Sequence, residues 1–248
     1  MSFTQAYNQP HDYRFCQDSV LAPKLIAQDL INTRYLERGS SGEASSRLGS
    51  SVTMRALDVC AGCGVMGLEL LHALGEKAKS LAEIDFLEIQ ARFEPYFREN
   101  TIGYERTQSP AVETETATPN AERPSPRLNW INDNYSRLSA PEFAGRYDLI
   151  IANPPYFEKS EGTLSENEMN NRARFFLDGS FDQLLKAVRN SLKPNGRAYV
   201  LMKSGKKHGR DAFTSARIEL FDCEVVRLAD VRGTDLVRIT APLGTSKS

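Results

Sequence analysis

The stretch that decides the fold is residues 57–67, which read L-D-V-C-A-G-C-G-V-M-G. Gly62, Gly64 and Gly67 fit the spacing G-x-G-x-x-G, with a strand-like apolar run before them and helical spacing after them as far as Gly75. Glycines between a strand and a helix allow a tight turn and let a ligand approach the backbone closely. The stretch predicts a site for NAD, FAD or S-adenosylmethionine (SAM), with a turn that binds no ligand as the alternative.

Strand and helix patterns alternate on both sides of this loop. Helices are predicted over 18–38, 65–74, 86–100 (with a break or kink at Pro95), 180–192 and 211–217, and strands over 53–59, 80–84, 128–132, 147–152, 197–202, 223–231 and 235–241. The strand at 147–152 is apolar through its middle, as expected for a central parallel strand covered on both faces. The alternation predicts a doubly wound α/β fold, mostly parallel, whose last two strands form an antiparallel C-terminal edge.

Length and composition are those of a globular protein. The chain has 248 residues, of which 40% are hydrophobic and 25% charged, which excludes collagen, coiled coils and wholly disordered chains. Without a secretory pattern, a membrane span or a disulfide framework, the sequence favours a cytoplasmic protein. We expect a single domain over 1–248, with flexible insertions at 39–51 and 103–127, which are rich in Gly and Ser or in Pro.

Carboxylates lie at or directly after the ends of three of the predicted strands. Asp58, four residues before Gly62, needs a cationic partner, which the ammonium and sulfonium groups of SAM supply, whereas a pyrophosphate would be repelled. Glu83, at the predicted end of the second strand, is expected to bind the ribose hydroxyls, with Asp85 as the substitute if the strand ends two residues later. Asp133 is expected to accept from the adenine amino group, although a plain loop aspartate explains it nearly as well.

The tetrapeptide Asn153-Pro154-Pro155-Tyr156 directly follows the strand at 147–152. Its prolines remove two backbone donors and stiffen the turn, which leaves the Asn153 side-chain oxygen and the Pro154 carbonyl as acceptors. Two acceptors can hold both hydrogens of a planar NH2 group and favour a pyramidal nitrogen whose lone pair points at a methyl donor. The Tyr156 ring is expected to stack on a flat substrate. These four residues are the predicted catalytic residues, with a rigid loop after a core strand as the alternative.

The glycine loop and this tetrapeptide, in that order, resemble class I SAM-dependent methyltransferases that modify exocyclic or amide NH2 groups. The N-terminal strip Tyr13-Arg14-Phe15-x-x-Asp18-Ser19-Val20-Leu21 resembles the opening of the bacterial tRNA1(Val) adenine-N6 methyltransferase family. The resemblance implies a Rossmann-like seven-stranded methyltransferase sheet, SAM as cofactor, and an adenine N6 amino group in tRNA, beside the anticodon, as target. It also implies that residues 1–38 fold over the cofactor site.

The residues expected to bind the cofactor come from the strip, the glycine loop and the strand ends. They are Phe15, Asp18, Ser19, Asp58, Ala61, Gly62, Cys63, Gly64, Gly67, Glu83, Ile84, Asp133 and Asn153. No metal is expected, because the C-x-x-C pair formed by Cys60 and Cys63 lacks the second pair or histidine cluster that would complete a site.

The C-terminal third of the chain is basic. Residues 172–248 contain 15 Lys and Arg against 8 Asp and Glu, whereas residues 1–171 contain 16 against 24. A basic surface favours a polyanionic partner, and a solvated turn is the alternative. The residues predicted to contact RNA are Arg172, Arg174, Lys203, Lys206, Lys207 and Arg210.

Three other substrate classes stay open. The same tetrapeptide suits a protein glutamine-N5 methyltransferase of the release-factor type, although only about 52 residues precede the first strand and leave little room for a helical substrate domain. An rRNA guanine-N2 or adenine-N6 methyltransferase and a DNA adenine methyltransferase use the same chemistry, and the DNA enzymes usually need a larger recognition domain. An NAD-dependent oxidoreductase is disfavoured by Asp58 and by the missing hydride-transfer residues.

Overall fold

The computed structural model describes residues 5–40, 54–108, 126–203 and 211–244. Their α-helices are α1 (Asp18–Asn32), α2 (Val65–Leu74), α3 (Glu94–Gln108), α4 (Glu168–Arg174), α5 (Phe181–Ser191) and α6 (Ala212–Glu219). Their strands are β1 (Met54–Val59), β2 (Leu81–Glu88), β3 (Arg127–Asn132), β4 (Tyr147–Ala152), β5 (Phe157–Glu158), β6 (Phe175–Phe176), β7 (Leu192–Lys203), β8 (Glu224–Asp230) and β9 (Thr234–Thr240).

Seven strands form one sheet in the order β3-β2-β1-β4-β7-β9-β8, and β5 pairs with β6 separately. The first five of these run parallel, while β9 runs antiparallel between β7 and β8. The predicted fold class, a mostly parallel doubly wound sheet with an antiparallel C-terminal element, is confirmed. The chain moves outward from β1 to β2 and β3 and then returns to β4 on the other side of β1. Such a change of direction opens a crevice at the carboxyl ends of the strands.

The sheet is buried on both faces because alternate residues of its central strands point in opposite directions. On β4, Leu149 and Ile151 pack into a cluster with α1 and α2, whereas Ile150 and Ala152 pack into a second cluster with α5 and α6. All four side chains are fully buried. This two-sided burial explains the continuous apolar run of the strand.

The second strand and third helix differ from the predicted boundaries. Strand β2 continues through Phe86 to Glu88, so the predicted helix over 86–100 begins only at Glu94 and extends to Gln108. Pro95 lies in the first turn of α3, where no intrahelical N–H bond is lost, and it therefore starts the helix instead of kinking it.

The boundaries of the two predicted insertions also differ from the structure, because regular elements extend into them. The segment expected over 103–127 begins inside α3 and ends in β3, and the segment expected over 39–51 begins inside the 3-10 turn Tyr35–Ser40. Residues 41–53 and 109–125 lie outside the described residues. None of the helices in the described ranges combines the length and the apolar character that crossing a bilayer requires.

Candidate active site

A crevice opens at the carboxyl ends of β1, β2, β3 and β4. Its walls come from the loops after these strands, from the N-terminal strip and from the segment around β6. Five of the predicted site residues line it, namely Gly62, Asp133, Asn153, Pro155 and Arg172. The structure thus brings the glycine loop and the tetrapeptide, which are far apart in sequence, to one opening.

The backbone of the glycine loop takes conformations that favour glycine. Cys60, Gly62 and Gly64 have φ angles of 59°, 54° and 84°, and Gly64 is the N-cap of α2. Gly67 is required for a different reason, because a Cβ there would lie 2.4 Å from the Phe86 ring. At Gly62 a Cβ would meet its nearest neighbour only at 3.9 Å, so this turn leaves open space beside the backbone.

Ala61 and Cys63, the other loop residues predicted to bind the cofactor, are hydrogen-bonded to neighbouring elements. Ala61 donates its N–H to the carbonyl of Leu87 at 3.1 Å, which ties the loop to β2. Cys63 is buried, and its carbonyl accepts a hydrogen bond from the side chain of Asn100 at 3.0 Å. The loop is therefore held from β2 on one side and from α3 on the other.

Asp58 lies beneath the loop instead of opening onto the crevice. It is 1% exposed, and its Oδ2 accepts the N–H of Gly67 at 2.9 Å. Burial, opposed by this hydrogen bond and reinforced by nearby Glu88, raises the pKa of Asp58 to about 8. Its Oδ1 is buried and has no hydrogen-bond partner among the described residues. Asp58 was predicted to need a cationic partner, and in this structure it is a buried carboxyl group behind the loop, outside the crevice wall.

Glu88 occupies the place that was predicted for Glu83. It is the last residue of β2, lines the crevice, and accepts the N–H groups of Gly62 and Gln90, each at 2.9 Å. Burial raises its pKa, although the bonds from Gln90 and Gly62 oppose that shift. It was missed because the sequence prediction ended the strand at Ile84, whereas the apolar pair before Glu88 continues it.

Glu83 and its neighbours lie inside the strand, away from the crevice. Glu83 is held by ion pairs with Arg55 at 3.1 Å and Arg127 at 3.0 Å. Ile84 is fully buried in the core. Asp85, the substitute, accepts the Tyr147 hydroxyl at 2.7 Å in a buried network. The expectation that Glu83 and Ile84 bind the cofactor is therefore corrected.

The Asn153 carboxamide is held at both ends. Its Oδ1 accepts the Tyr156 hydroxyl at 2.6 Å. Its Nδ2 donates to Ser19 Oγ at 2.9 Å and to Cys16 Sγ at 3.3 Å. The side chain at the crevice edge is therefore fixed from the tetrapeptide on one side and from the start of α1 on the other.

The other tetrapeptide residues have unequal access. Pro155 lines the crevice, whereas Pro154 is buried. Tyr156 is partly buried against the cluster of α1 and α2 and is not among the described residues that line the crevice. Burial raises its pKa, so the hydroxyl keeps its proton and can donate to Asn153. In this structure Tyr156 thus contacts Asn153 instead of presenting an open ring for stacking.

The N-terminal strip reaches the glycine loop, where the Tyr13 hydroxyl lies beside Gly62. Tyr13 lines the crevice and packs edge-on against Phe93 with ring centroids 4.9 Å apart. Asp18 and Ser19 are buried at the start of α1. Phe15 contacts the Tyr7 ring at 6.0 Å and is not part of the described crevice wall, so the strip residue that reaches the crevice is Tyr13.

Curated proteins of one name are similar to parts of this chain. A tRNA1(Val) (adenine(37)-N6)-methyltransferase from Shewanella putrefaciens is 34% identical over 122 residues, which cover 48% of this chain and 49% of the relative. A protein of the same name from Aliivibrio fischeri is 29% identical over 176 residues, which cover 68% of this chain and 63% of the relative. Over part of its length, the chain is similar to curated proteins named tRNA1(Val) adenine-N6 methyltransferases. The resemblance inferred from the strip and the two motifs is confirmed.

The matches to this family are partial. The chain spans about half the length of the Shewanella relative that it matches. No protein-family model matches the chain. A 16S rRNA guanine-N2 methyltransferase of T. thermophilus, solved in complex with AdoMet and guanosine, superposes with a TM-score of 0.50 at 14% identity, over 93% of this chain and 44% of that chain. This likeness supports the methyltransferase fold.

Three of the six cations predicted to contact RNA lie in the described residues. Arg172 lines the crevice but is paired with Asp178 at 2.6 Å and with Glu168 at 3.1 Å. Arg174 lies over the Phe175 ring at 5.6 Å. Lys203 ends β7 and is exposed. The remaining three, Lys206, Lys207 and Arg210, lie outside the described residues.

Asp133 follows β3 at the crevice wall, as predicted. Its Oδ1 accepts the N–H of Asn134 at 2.7 Å, and its other oxygen lies 3.9 Å from Arg137. The carboxylate is about half exposed, so it can still accept a further hydrogen bond from a ligand in the crevice.

Proposed function

We propose that this chain is a SAM-dependent N-methyltransferase that modifies the exocyclic N6 amino group of adenine in RNA, with tRNA near the anticodon as the substrate. The observation that carries the proposal is Asn153, which the tetrapeptide and α1 hold at the edge of the crevice lined by Gly62 and Glu88. The relatives named as tRNA1(Val) adenine-N6-methyltransferases support the choice of substrate.

The crevice fits SAM. Gly62 offers backbone with open space beside it, and the Glu88 carboxylate at the end of β2 can accept from both ribose hydroxyls. Asp133 can accept from the adenine amino group. Asp58 lies behind the loop and does not enter the crevice, so it supports the loop from beneath through the Gly67 N–H. When bound, SAM supplies an electrophilic methyl group.

Asn153 acts on the amine that receives the methyl group. Tyr156 occupies one lone pair of its Oδ1, which leaves the second lone pair for a hydrogen of the substrate NH2 group. The Pro154 carbonyl takes the other hydrogen. Two fixed acceptors draw the nitrogen lone pair out of conjugation with the ring and orient it for attack. A strong base is not needed, because the alkylated nitrogen releases its proton readily to water.

The decisive experiment combines radiolabelled SAM with separate tRNA, rRNA and release-factor substrates. We expect transfer to tRNA and an N6-methyladenosine product. Asn153→Ala should lower the transfer rate at least about 100-fold, because preorganised polar stabilisation is lost, while calorimetry shows SAM affinity within about twofold of the unmutated protein.

Asn32→Ala, at the exposed end of α1, is the matched control and should transfer at the normal rate. Transfer to the release factor alone would favour the glutamine-amide alternative. Full activity of Asn153→Ala would contradict the proposed mechanism.

A further inference from the structure

We propose that Ser19 and Tyr156 are positioning residues that fix the carboxamide of Asn153. The start of α1 then serves the methyl-accepting side of the site and is not only a cover over the cofactor. The inference rests on the proposed function, because it assigns the groups that place its central residue.

A primary amide needs such support when it acts as an acceptor. Its oxygen accepts hydrogen bonds and its nitrogen only donates them, although the two ends have nearly the same shape. An Asn153 side chain turned over would aim N–H groups at the substrate's N–H groups. The χ2 torsion of an asparagine has a broad energy profile. Neighbouring groups therefore decide where the Asn153 Oδ1 atom lies.

Ser19 holds the nitrogen end. Its side chain is buried, with 7% of the residue exposed, and its Oγ lies 2.9 Å from Asn153 Nδ2. Cys16 Sγ lies 3.3 Å from the same nitrogen and accepts its second hydrogen. Both partners belong to the strip and α1, so both hydrogens of the amide are engaged on one side.

Tyr156 holds the oxygen end. Its hydroxyl lies 2.6 Å from Asn153 Oδ1, a short distance for a neutral hydrogen bond. The ring is anchored in the cluster of α1 and α2, and the Tyr156 N–H donates to the carbonyl of Arg174 at 3.1 Å. The hydroxyl therefore comes from a fixed ring, and the plane of the amide is set by two groups on opposite sides.

The test compares Ser19→Ala, Ser19→Thr and Tyr156→Phe with the unmutated protein in single-turnover methyl transfer to tRNA. We expect Ser19→Ala and Tyr156→Phe each to slow transfer about tenfold, which corresponds to the loss of one hydrogen bond. Affinities for SAM and tRNA should stay within about twofold. The double variant should fall short of the product of the single effects, because both residues act on one amide. Ser19→Thr keeps the hydroxyl and should restore most of the rate.

A second readout does not depend on turnover. In protein labelled with 15N-asparagine, the Asn153 side-chain NH2 signals are those missing from Asn153→Ala. These signals should shift and exchange faster with water in Ser19→Ala. Ser215→Ala removes a buried serine of α6 and should leave them unchanged.

The outcomes separate the alternatives. If Ser19→Ala weakens SAM binding in proportion to the rate and leaves the Asn153 signals in place, Ser19 is a cofactor residue and the inference is overturned. Unchanged rates in both single variants overturn it as well. If the unmutated protein methylates no RNA, the proposed function fails, while the NMR measurement still decides whether Ser19 holds Asn153.

Discussion

Asp58 illustrates how burial changes the chemistry of one side chain. A carboxylate near the end of the first strand predicts a negative charge, yet Asp58 is only 1% exposed, lies behind the loop and accepts the Gly67 N–H. Removal from water penalises the charged form, and nearby Glu88 adds to that penalty, which together raise the pKa of Asp58 to about 8. The residue type and position could be predicted from sequence, but its protonation depends on the burial that only the folded chain creates.

This shift predicts how stability depends on pH. Between the unfolded pKa of about 3.9 and the folded value, the folded protein keeps a proton that the unfolded chain releases. The free energy of unfolding therefore falls as pH rises through this window, by at most about 1.4 kcal/mol per pH unit from this group. Asp58→Asn keeps an oxygen for Gly67 and does not titrate, so its stability relative to the unmutated protein should increase steadily from pH 5 to pH 7.5.

Urea unfolding at pH 5, 6, 7 and 7.5 measures this difference. Glu88 contributes a slope of the same sign to both proteins, because burial raises its pKa too, so the difference between them reports Asp58 and its interaction with Glu88. Asp182→Asn, a partly exposed aspartate in the first turn of α5, is the control. Stability curves of Asp58→Asn and the unmutated protein that run parallel over the whole range would show that Asp58 is ionised in the folded state.

Glu83 and Glu88 show where prediction of the site from sequence fails. Both glutamates are on β2, and a strand pattern alone does not say which of them ends it. The apolar residues Phe86 and Leu87 were the available signal, but they also suited the start of a helix. The choice is settled by pairing with β3, in which Glu88 is opposite Asn132. The sequence pattern was enough to predict the strand, but where it ends depends on its pairing with β3.

The helix α3 matters because one of its side chains joins three segments. Asn100 is 1% exposed, and its Nδ2 donates to the carbonyls of Asn8 at 2.9 Å and Cys63 at 3.0 Å. Its Oδ1 accepts the Asn8 N–H at 2.7 Å. The N-terminal strip and the glycine loop are thus fastened to the same helix. No sequence pattern predicts this, since the contacts join Asn100 to residues 92 and 37 positions away in the chain.

Asn100→Ala should loosen both segments at once. Three hydrogen bonds are lost and buried backbone groups of Asn8 and Cys63 lose this partner, so we expect the free energy of unfolding to fall by about 2–4 kcal/mol. Because the strip carries Tyr13 to the crevice, SAM affinity should also fall, which calorimetry measures. Glu99→Ala, on the exposed face of α3, is the control. A stable Asn100→Ala variant with normal SAM affinity would show that the strip is held by its other contacts.

The alternation of strands and helices along the chain was enough to predict the sheet, because each pattern is local and the connections of parallel strands follow general rules. The sequence also showed that residues 172–248 carry a net positive charge and residues 1–171 a net negative charge. The sequence pattern singled out Lys203 but not Arg232, because the nearness of these two cations depends on the pairing of β7 with β9. Lys203 ends β7 opposite Thr234, and Arg232 lies in the turn before β9. Both are exposed, and their charges act on Asp18, beside the Ser19 that contacts Asn153.

An RNA that presents its target base to Asn153 should therefore pass close to Lys203 and Arg232. Each cation that neutralises a phosphate steepens the dependence of the logarithm of affinity on the logarithm of salt concentration by about 0.7–0.9. The variant carrying Lys203→Ala and Arg232→Ala should bind tRNA more weakly at low salt, with a slope reduced by about 1.5. Filter binding from 50 to 300 mM salt measures this. Lys77 lies in the turn that precedes β2, at the amino ends of the parallel strands. Lys77→Ala should therefore keep the full salt dependence. Equal losses of affinity and slope in both variants would mean that RNA binding depends on the overall charge of the protein and not on Lys203 and Arg232.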